Sequence, residues 1–399
     1  MSRSDGNRSA ILAYVGAYGT VSRADLARRL DLSPGLITKL TRELIADGLL
    51  EEREHSASAG GRPAQQLGLA STSIGAIGVK VAPDHVTAVE VGIDGLVRRA
   101  ATERFDAASS MALADLTGIV QSFISDAVHD TLLGIGVGLP GNVREPSEEI
   151  VDSTQLGWSQ MPLGSALRSV TRLPVLIDNN VNVLALAEQL FGAGRGRSDF
   201  LVVTIGTGIG AGIVCAGAVV RGNAGSAGEI GHIPTVEGGP VCQCGSRGCL
   251  ESLIGQTALV NRGRERQIID SDGGIVSLRA AADSGDGDAI ALFEEAGHLL
   301  GRAVAGVVNT IDPEVIIVLG EGADAWKHWS FGFEPAMRAA LIPRKRGIGV
   351  IVEGWHDDRW AQGAASLVLS TPFDATGSSG EQGRLVRARL LDSASGARP

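Results

Sequence analysis

Cysteine is scarce in this 399-residue chain, which has four, three of them between positions 242 and 249. That supply excludes a disulfide-stapled scaffold and fits a reducing compartment. Long apolar runs are missing as well: no stretch approaches the length of a membrane span, and residues 1–10 contain no apolar leader. The expected location is cytoplasmic, with no membrane partner. Basic residues are in deficit, 35 Lys+Arg against 45 Asp+Glu for a formal net charge of -10, which over the whole chain argues against nucleic-acid binding. Apolar residues, by contrast, make up 44% of the chain, enough for sizeable cores in two or three domains.

The acid is unevenly spread. Residues 1–70 hold nine Lys+Arg against eight Asp+Glu and the remainder 26 against 37, so a weakly basic module is joined to an acidic body. Arg8 to Tyr18 carries Ile11, Leu12 and Val15 at helical spacing, and Gly19 ends that segment. Ser22 is placed to cap a helix with Leu26 and Leu30 one turn apart. Ser33 and Pro34 open the next helix with a cap followed by proline at the first helical position. Ile37, Leu40 and Leu44 give it a buried face, and Gly48 stops it. Two strands, Leu49 to Glu54 and Gln65 to Leu69, then flank a Gly-rich turn.

This pattern predicts a winged helix-turn-helix over residues 1–70. Pro34, Gly35, Thr38, Lys39 and Arg42 fall on the face that a recognition helix presents to base edges and phosphates of a double-stranded DNA operator. Arg62, near the tip of the wing, suits a narrow minor groove. A small helical protein-interaction module with a solvated basic face is the alternative. A head of net charge +1 gains little from phosphates alone, so useful affinity calls for two heads on a homo-oligomer, a dimer or tetramer.

From Ser73 the chain turns β-rich. A hairpin is expected around Pro83 and Asp84, then a third strand through Arg98 to Phe105, an amphipathic helix from Met111 to Asp130 and a buried strand from Leu132 to Leu139. Leu173 to Asn182 is another buried strand that delivers polar residues at its end, where ligands gather in open α/β sheets. Gly206, Thr207 and Gly208, with Gly210 and Gly212, form a tight turn between two apolar strands, a weak signal for a phosphate cradle. Alternating buried strands and helices give an α/β layer fold. Residues 372–399, rich in Ser, Gly and Arg, have no apolar period and are expected to be disordered.

The densest chemistry lies between Gly228 and Glu251. His232 is followed after nine residues by Cys242, Cys244 and Cys249 within Cys-x-Cys-Gly-x-x-Gly-Cys. Three thiolates and one imidazole make a closed tetrahedral set, which favours structural zinc (Zn2+) and excludes calcium and magnesium. Glu229 and Glu251 flank these ligands, so the metal would fix the loop that positions them.

Gly-Glu-Ile-Gly-His followed by Cys-x-Cys-Gly-x-x-Gly-Cys-x-Glu resembles the signature of the ROK family of repressors, open reading frames and sugar kinases. The resemblance, over about residues 8–371, implies a two-lobed, actin-like sugar-kinase fold behind the winged head. Lobe 1 would span 71–180 with a closing helix at 358–371, and lobe 2 would span 181–357 with the zinc loop at 228–251. It further implies a sugar or sugar-phosphate effector held by Asn179, Asn180, Glu229, His232 and Glu251, the histidine also serving the metal.

Against a kinase stand three departures from the family's motifs. Lys80, Ala82 and Pro83 replace the carboxylate and paired glycines of the first phosphate loop, removing close backbone approach to a triphosphate. Asn180 stands where the family has its catalytic aspartate, and an amide cannot take the proton, an effect of about 10²- to 10⁴-fold. Glu321 follows Gly320 where a second glycine is usual. The expectation is a non-enzymatic transcriptional regulator, a repressor of carbohydrate-related genes. An active ATP-dependent ROK sugar kinase with an N-terminal appendage is the alternative, and a body that serves only oligomerisation is a third possibility.

Overall fold

The computed structural model describes residues 7–8, 11–12, 14–15, 19–30, 32–46, 48–53, 65–70, 74–93, 95–143, 150–354, 357–371 and 380–394. The described residues of the leading segment are helical, and Ile11, Leu12 and Val15 are buried. At its end Gly19, at φ +79°, donates its N–H to Val15 O at 2.9 Å. The head continues with β1 (Val21–Ser22), α1 (Arg23–Leu30), α2 (Pro34–Ala46), β2 (Leu50–Arg53) and β3 (Gln66–Leu69).

Both expected caps form. Ser22 Oγ accepts from Asp25 N at 3.1 Å and donates to its carboxylate at 2.7 Å, and Ser33 Oγ accepts from Leu36 N at 3.3 Å. Leu26, Ile37, Leu40 and Leu44 close over Leu49, Leu50 and Leu67, each essentially inaccessible to solvent. Burial of one such side chain contributes about 1.5–3 kcal/mol. The three strands pair antiparallel in the order β1-β3-β2, giving the stem of the predicted wing. The wing tip, with Arg62, lies outside the described residues.

Next come β4 (Ile74–Val81), β5 (His85–Gly92), β6 (Val97–Arg104), α3 (Ala112–Ser125), β7 (Thr131–Leu139), β8 (Val151–Ser153), β9 (Trp158–Met161), α4 (Leu163–Thr171), β10 (Val175–Asn179) and α5 (Asn180–Phe191). The body sheet has the order β10-β7-β4-β5-β6, parallel across β10, β7 and β4 and antiparallel across β4, β5 and β6. The strand expected to run to Asn182 stops at Asn179, because Asn179 caps α5.

The rest of the chain comprises β11 (Phe200–Ile205), β12 (Ile209–Cys215), β13 (Ala218–Val219), α6 (Leu250–Ile254), α7 (Gln256–Glu265), α8 (Ile275–Asp283), α9 (Gly287–Ile311), β14 (Val315–Leu319), α10 (Trp326–Ala340), β15 (Gly349–Val352), α11 (Asp357–Ser370) and α12 (Gly380–Ala394). Its sheet, β13-β12-β11-β14-β15, repeats the pattern of the first: an antiparallel run of three strands extended by parallel ones.

Two compact units result: Met1–Gly196 with Gly222–Gly225 and Asp357–Pro399, and Arg197–Arg221 with Ser226–His356. The boundary expected at 180/181 therefore falls at 196/197. Helix α5 stays with the first unit because it packs on α11, where a Cβ on Gly363 would stand 2.9 Å from Val183 O. Helix α11 also lies directly on the first body sheet: a Cβ on Gly78 or Gly136 would overlap the carbonyl oxygen of Ala361 or Ala364. In the second unit Gly297 and Gly301 of α9 let the backbone of α10 approach in the same way, around buried Phe293, Trp329 and Phe333.

The disordered tail expected over 372–399 is corrected for residues 380–394, which form α12. Val386 and Leu390, one turn apart, are buried, while Gln382 Oε1 accepts from Val175 N at 3.3 Å and Arg389 Nε donates to Leu132 O at 3.0 Å. The stripe is too short to stand out from the surrounding Ser, Gly and Arg.

Candidate functional site

Helix α2 exposes Pro34, Gly35, Thr38, Lys39 and Arg42 together, opposite the buried Ile37, Leu40 and Leu44. The helix is tied down from behind. Arg23 Nε donates to Thr41 Oγ1 at 3.0 Å, Thr41 donates to Ile37 O at 2.8 Å, and Arg23 Nη2 reaches Glu52 of β2 at 2.8 Å. Thr38 Oγ1 donates to Pro34 O at 2.8 Å, and Lys39 Nζ stands 3.9 Å from Glu43, a loose solvated pair that a phosphate can displace. A fixed helix with an open polar and basic face is what major-groove docking needs.

In the second unit, the segment after β13 folds around four side chains. Ligand atoms of His232, Cys242, Cys244 and Cys249 all lie within 4.8 Å of one another, with Cys242 Sγ 3.5 Å from His232 Nδ1 and Cys244 Sγ 3.7 Å from Cys249 Sγ. Four donors arranged tetrahedrally at metal bond lengths of about 2.0–2.3 Å are separated by such distances, whereas a disulfide would need about 2 Å. The cysteines are unpaired. The backbone makes room: Gly245 and Gly248 adopt φ +89° and +71°, and a side chain on Gly248 would overlap Val236 O. This donor set can hold a metal ion.

His232 joins the cluster to the carboxylates. Its Nδ1 faces Cys242 and its Nε2 stands 3.6 Å from Glu229 Oε2. Burial pushes the Glu229 carboxyl above its ordinary range; His232 opposes the shift and the negative charge of Glu251 adds to it. Glu251 Oε2 accepts from Ile209 N at 3.0 Å, so α6 holds the first residue of β12 beyond the glycine turn. The structure thus brings Glu229, His232 and Glu251 together around the 3-10 turn Ile230–His232.

Asn179 and Asn180 belong to the first unit. Much of Asn179 is engaged in the fold: its Oδ1 accepts from Val181 N at 2.8 Å and its Nδ2 donates to Gly141 O at 2.9 Å. Asn180, half-buried, is the first residue of α5. Sequence reasoning gave no role to Asp178, which is fully buried and organises this corner by accepting from Asn179 N at 2.8 Å and Asn182 Nδ2 at 2.9 Å. Its signal was present in Asp-Asn-Asn-Val-Asn, but only the strand-to-helix break shows which residue points inward.

The nucleotide-side departures acquire geometry. The predicted glycine turn is there, with Gly206 N donating to Gly208 O at 3.0 Å, but the Glu321 carboxylate lies against Gly206 and would clash with any Cβ placed on it. A negative charge there opposes phosphate. Beside it is a small pocket lined by Ile205, Leu259, Phe293 and Trp329, among others; its Arg279 donates to Asp324 at 2.8 Å. Lys80, only 5% exposed, is folded inward with its ammonium 4.9 Å from the centre of the Trp360 ring, a cation–π contact that takes it out of the solvent.

A winged helix-turn-helix followed in the chain by two five-stranded sheets of repeated topology and a His/Cys3 loop defines a class: a DNA-binding head on a sugar-kinase-like body. The winged helix-turn-helix DNA-binding family model matches residues 4–51, and the ROK family model matches residues 78–371. The chain belongs to the ROK family.

Among its relatives, the N-acetylglucosamine repressor of Escherichia coli O157:H7 is 30% identical over 372 residues, covering 91% of this chain and 92% of the relative. Among solved structures, a ROK family transcriptional regulator, a homologue of the E. coli MLC protein, superposes with a TM-score of 0.80 at 26% identity, covering 99% of both chains. A ROK family glucokinase from Streptomyces griseus, in complex with glucose and AMPPNP, superposes with a TM-score of 0.65 at 26% identity, covering 73% of this chain and 98% of its own. The kinase thus covers about three quarters of the chain, and the regulator nearly its whole length.

Proposed function

We propose that the protein is a transcriptional repressor that binds operator DNA through winged heads paired in a homo-oligomer and responds to a sugar or sugar phosphate. The observation that carries the sensing part of this reading is the double use of His232, with one ring nitrogen in the four-donor cluster and the other beside Glu229. A metal holding that histidine would fix the orientation of the carboxylate that meets sugar hydroxyls.

The chemistry of the donor set, three sulfurs and one imidazole, fits zinc and leaves no open position for a reacting water. When bound, zinc would supply folding energy and rigidity to the loop. The protein groups do the recognition. Glu229 and Glu251 accept hydrogen bonds from hydroxyls, and His232 Nε2 donates or accepts beside them. In the first unit Asn180 offers an amide donor and acceptor to the same class of ligand, with Asn179 holding the start of α5. Glu321 beside Gly206, and an amide at position 180 where a general base would be needed, weigh against the kinase alternative.

Metal analysis of protein prepared without chelator tests the arrangement. One equivalent of zinc per chain, reduced to a trace in Cys244→Ser, is expected. Less than half an equivalent in the wild type, or unchanged content in the variant, contradicts it.

A further inference from the structure

Helix α5 begins where the first unit offers Asn179 and Asn180 and ends in a turn that touches the DNA-binding head. Its start is held by the Asn179 cap and by the Asn179 amide on Gly141 O. At the end of its first turn, Gly363 of α11 abuts Val183 O, leaving little room for sliding. At the far end Glu188, 2% exposed, accepts from Ala193 N at 2.8 Å through Oε2 and from Arg359 Nη2 at 3.3 Å through Oε1. The turn beyond is tight: Gly192 N donates to Glu188 O, Arg195 N donates to Gly192 O at 3.2 Å, and a side chain on Gly192 would overlap Glu188. Twelve residues of α-helix span about 18 Å, so both ends belong to one stiff rod.

The guanidinium of Arg195 lies on Gly19, its Nη2 3.1 Å and its Cζ 3.3 Å from the point a Cβ there would occupy. Gly19 is the joint of the head, where the leading helix ends and β1 is about to begin. A cation at that helix end also meets the negative end of the helix dipole. From Gly19 the covalent and hydrogen-bonded path is short. Ser22 in β1 caps α1, Arg23 at the start of α1 reaches Thr41 in α2, and α2 carries the exposed DNA face.

We propose that Arg195 is the positioning residue through which α5 sets the head, so that a change at the Asn179 end of the helix is felt at Gly19 and passed to α2. Its use in sensing rests on the effector reading above; the coupling itself does not. Spatial intermediacy alone does not establish coupling, so the test is a double-mutant cycle on the full-length, zinc-loaded protein with no ligand and no DNA present.

Hydrogen exchange of amides in residues 19–30 is compared in wild type, Asn179→Ala, Arg195→Ala and the double variant. Losing a cation at a helix end speeds local exchange about two- to fivefold, and Arg195→Ala is expected to do so here. Asn179→Ala should also speed exchange in these amides, but not further once Arg195 is gone. If Asn179→Ala proves unfolded, Asn179→Asp, which keeps the cap acceptor and loses the donor to Gly141, takes its place. Multiplicative effects, or no effect of the residue-179 change on the head, overturn the proposal. A failure of the sensing reading is seen elsewhere, as the absence of thermal stabilisation by sugars, and leaves the cycle intact.

Discussion

The Nε2 atom of His232 lies 3.6 Å from Oε2 of Glu229, while the Nδ1 atom of the same ring lies 3.5 Å from Cys242 Sγ. One imidazole therefore spans the metal set and the carboxylate pair, and the two can be separated by mutation. Glu229→Ala is expected to keep zinc bound, at an affinity lowered by about 10- to 100-fold as for other outer partners of metal-bound histidine, and to lose thermal stabilisation by sugars. A panel of N-acetylglucosamine, N-acetylglucosamine 6-phosphate, glucose and xylose suffices. Sugar stabilisation equal to wild type in Glu229→Ala would remove Glu229 from the site.

The DNA face makes a different prediction. Lys39→Ala or Arg42→Ala should lower operator affinity evenly across sequences and reduce the salt slope by about one, as loss of a phosphate contact does. Arg62→Ala should weaken binding most where A·T-rich flanks narrow the minor groove. Fluorescence anisotropy at several salt concentrations distinguishes the two. An unchanged slope in both helix variants would place the phosphates elsewhere.

Buried charge in the first unit gives a stability prediction. Glu90, fully buried, accepts from Val128 N at 2.9 Å, His129 N at 2.8 Å and His129 Nδ1 at 2.6 Å. Burial pushes its carboxyl up, but these hydrogen bonds together outweigh burial and hold it below its ordinary value. A depressed carboxyl stabilises the fold above the unfolded-state value near pH 4.5, and the contribution is lost as pH falls through the folded-state value. Glu90→Ala should cost about 3 kcal/mol or more at neutral pH, because it strands buried donors, and should flatten the acid limb of the stability curve. Denaturation midpoints between pH 3 and 7 check both. A variant as stable as wild type would show that these donors find other partners.

The chemistry predicted for the glycine turn is negative. With the Glu321 carboxylate on Gly206 and an amide at position 180, ATP-dependent phosphorylation of hexoses should stay far below the roughly 1–100 per second of ordinary kinases. A coupled assay decides. Turnover in that range would restore the enzyme reading.

Legibility in the sequence followed the length scale of each feature. The head was readable because capping serines, Pro34 and the Ile37, Leu40 and Leu44 stripe act within one or two turns. The His/Cys3 set was readable because all four ligands sit in one short loop whose spacing is itself the signal. Helix α10 was not foreseen. Pro335 and Gly332 lie inside it, and it is held by close approach to Gly297 and Gly301 of α9, a relationship no local pattern carries. The Glu90–His129 pair joins residues 39 apart in sequence, and the contact of Arg195 with Gly19 spans the head and the body. Asn179 was assigned to a ligand from its motif, whereas its cap on α5 becomes visible only once the strand is seen to end there.

Operator titration in the presence and absence of a sugar tests the central claim most directly. Wild-type protein is titrated onto an inverted-repeat fragment from upstream of its own gene, with and without the panel sugar that stabilises it most. The account predicts binding that is lost when residues 1–70 are removed, and an affinity that shifts at least about tenfold with the sugar, a coupling of about 1.4 kcal/mol; Glu229→Ala should bind DNA and ignore the sugar. Equal operator affinity with and without every sugar in the panel, or undiminished binding by the headless chain, would contradict it.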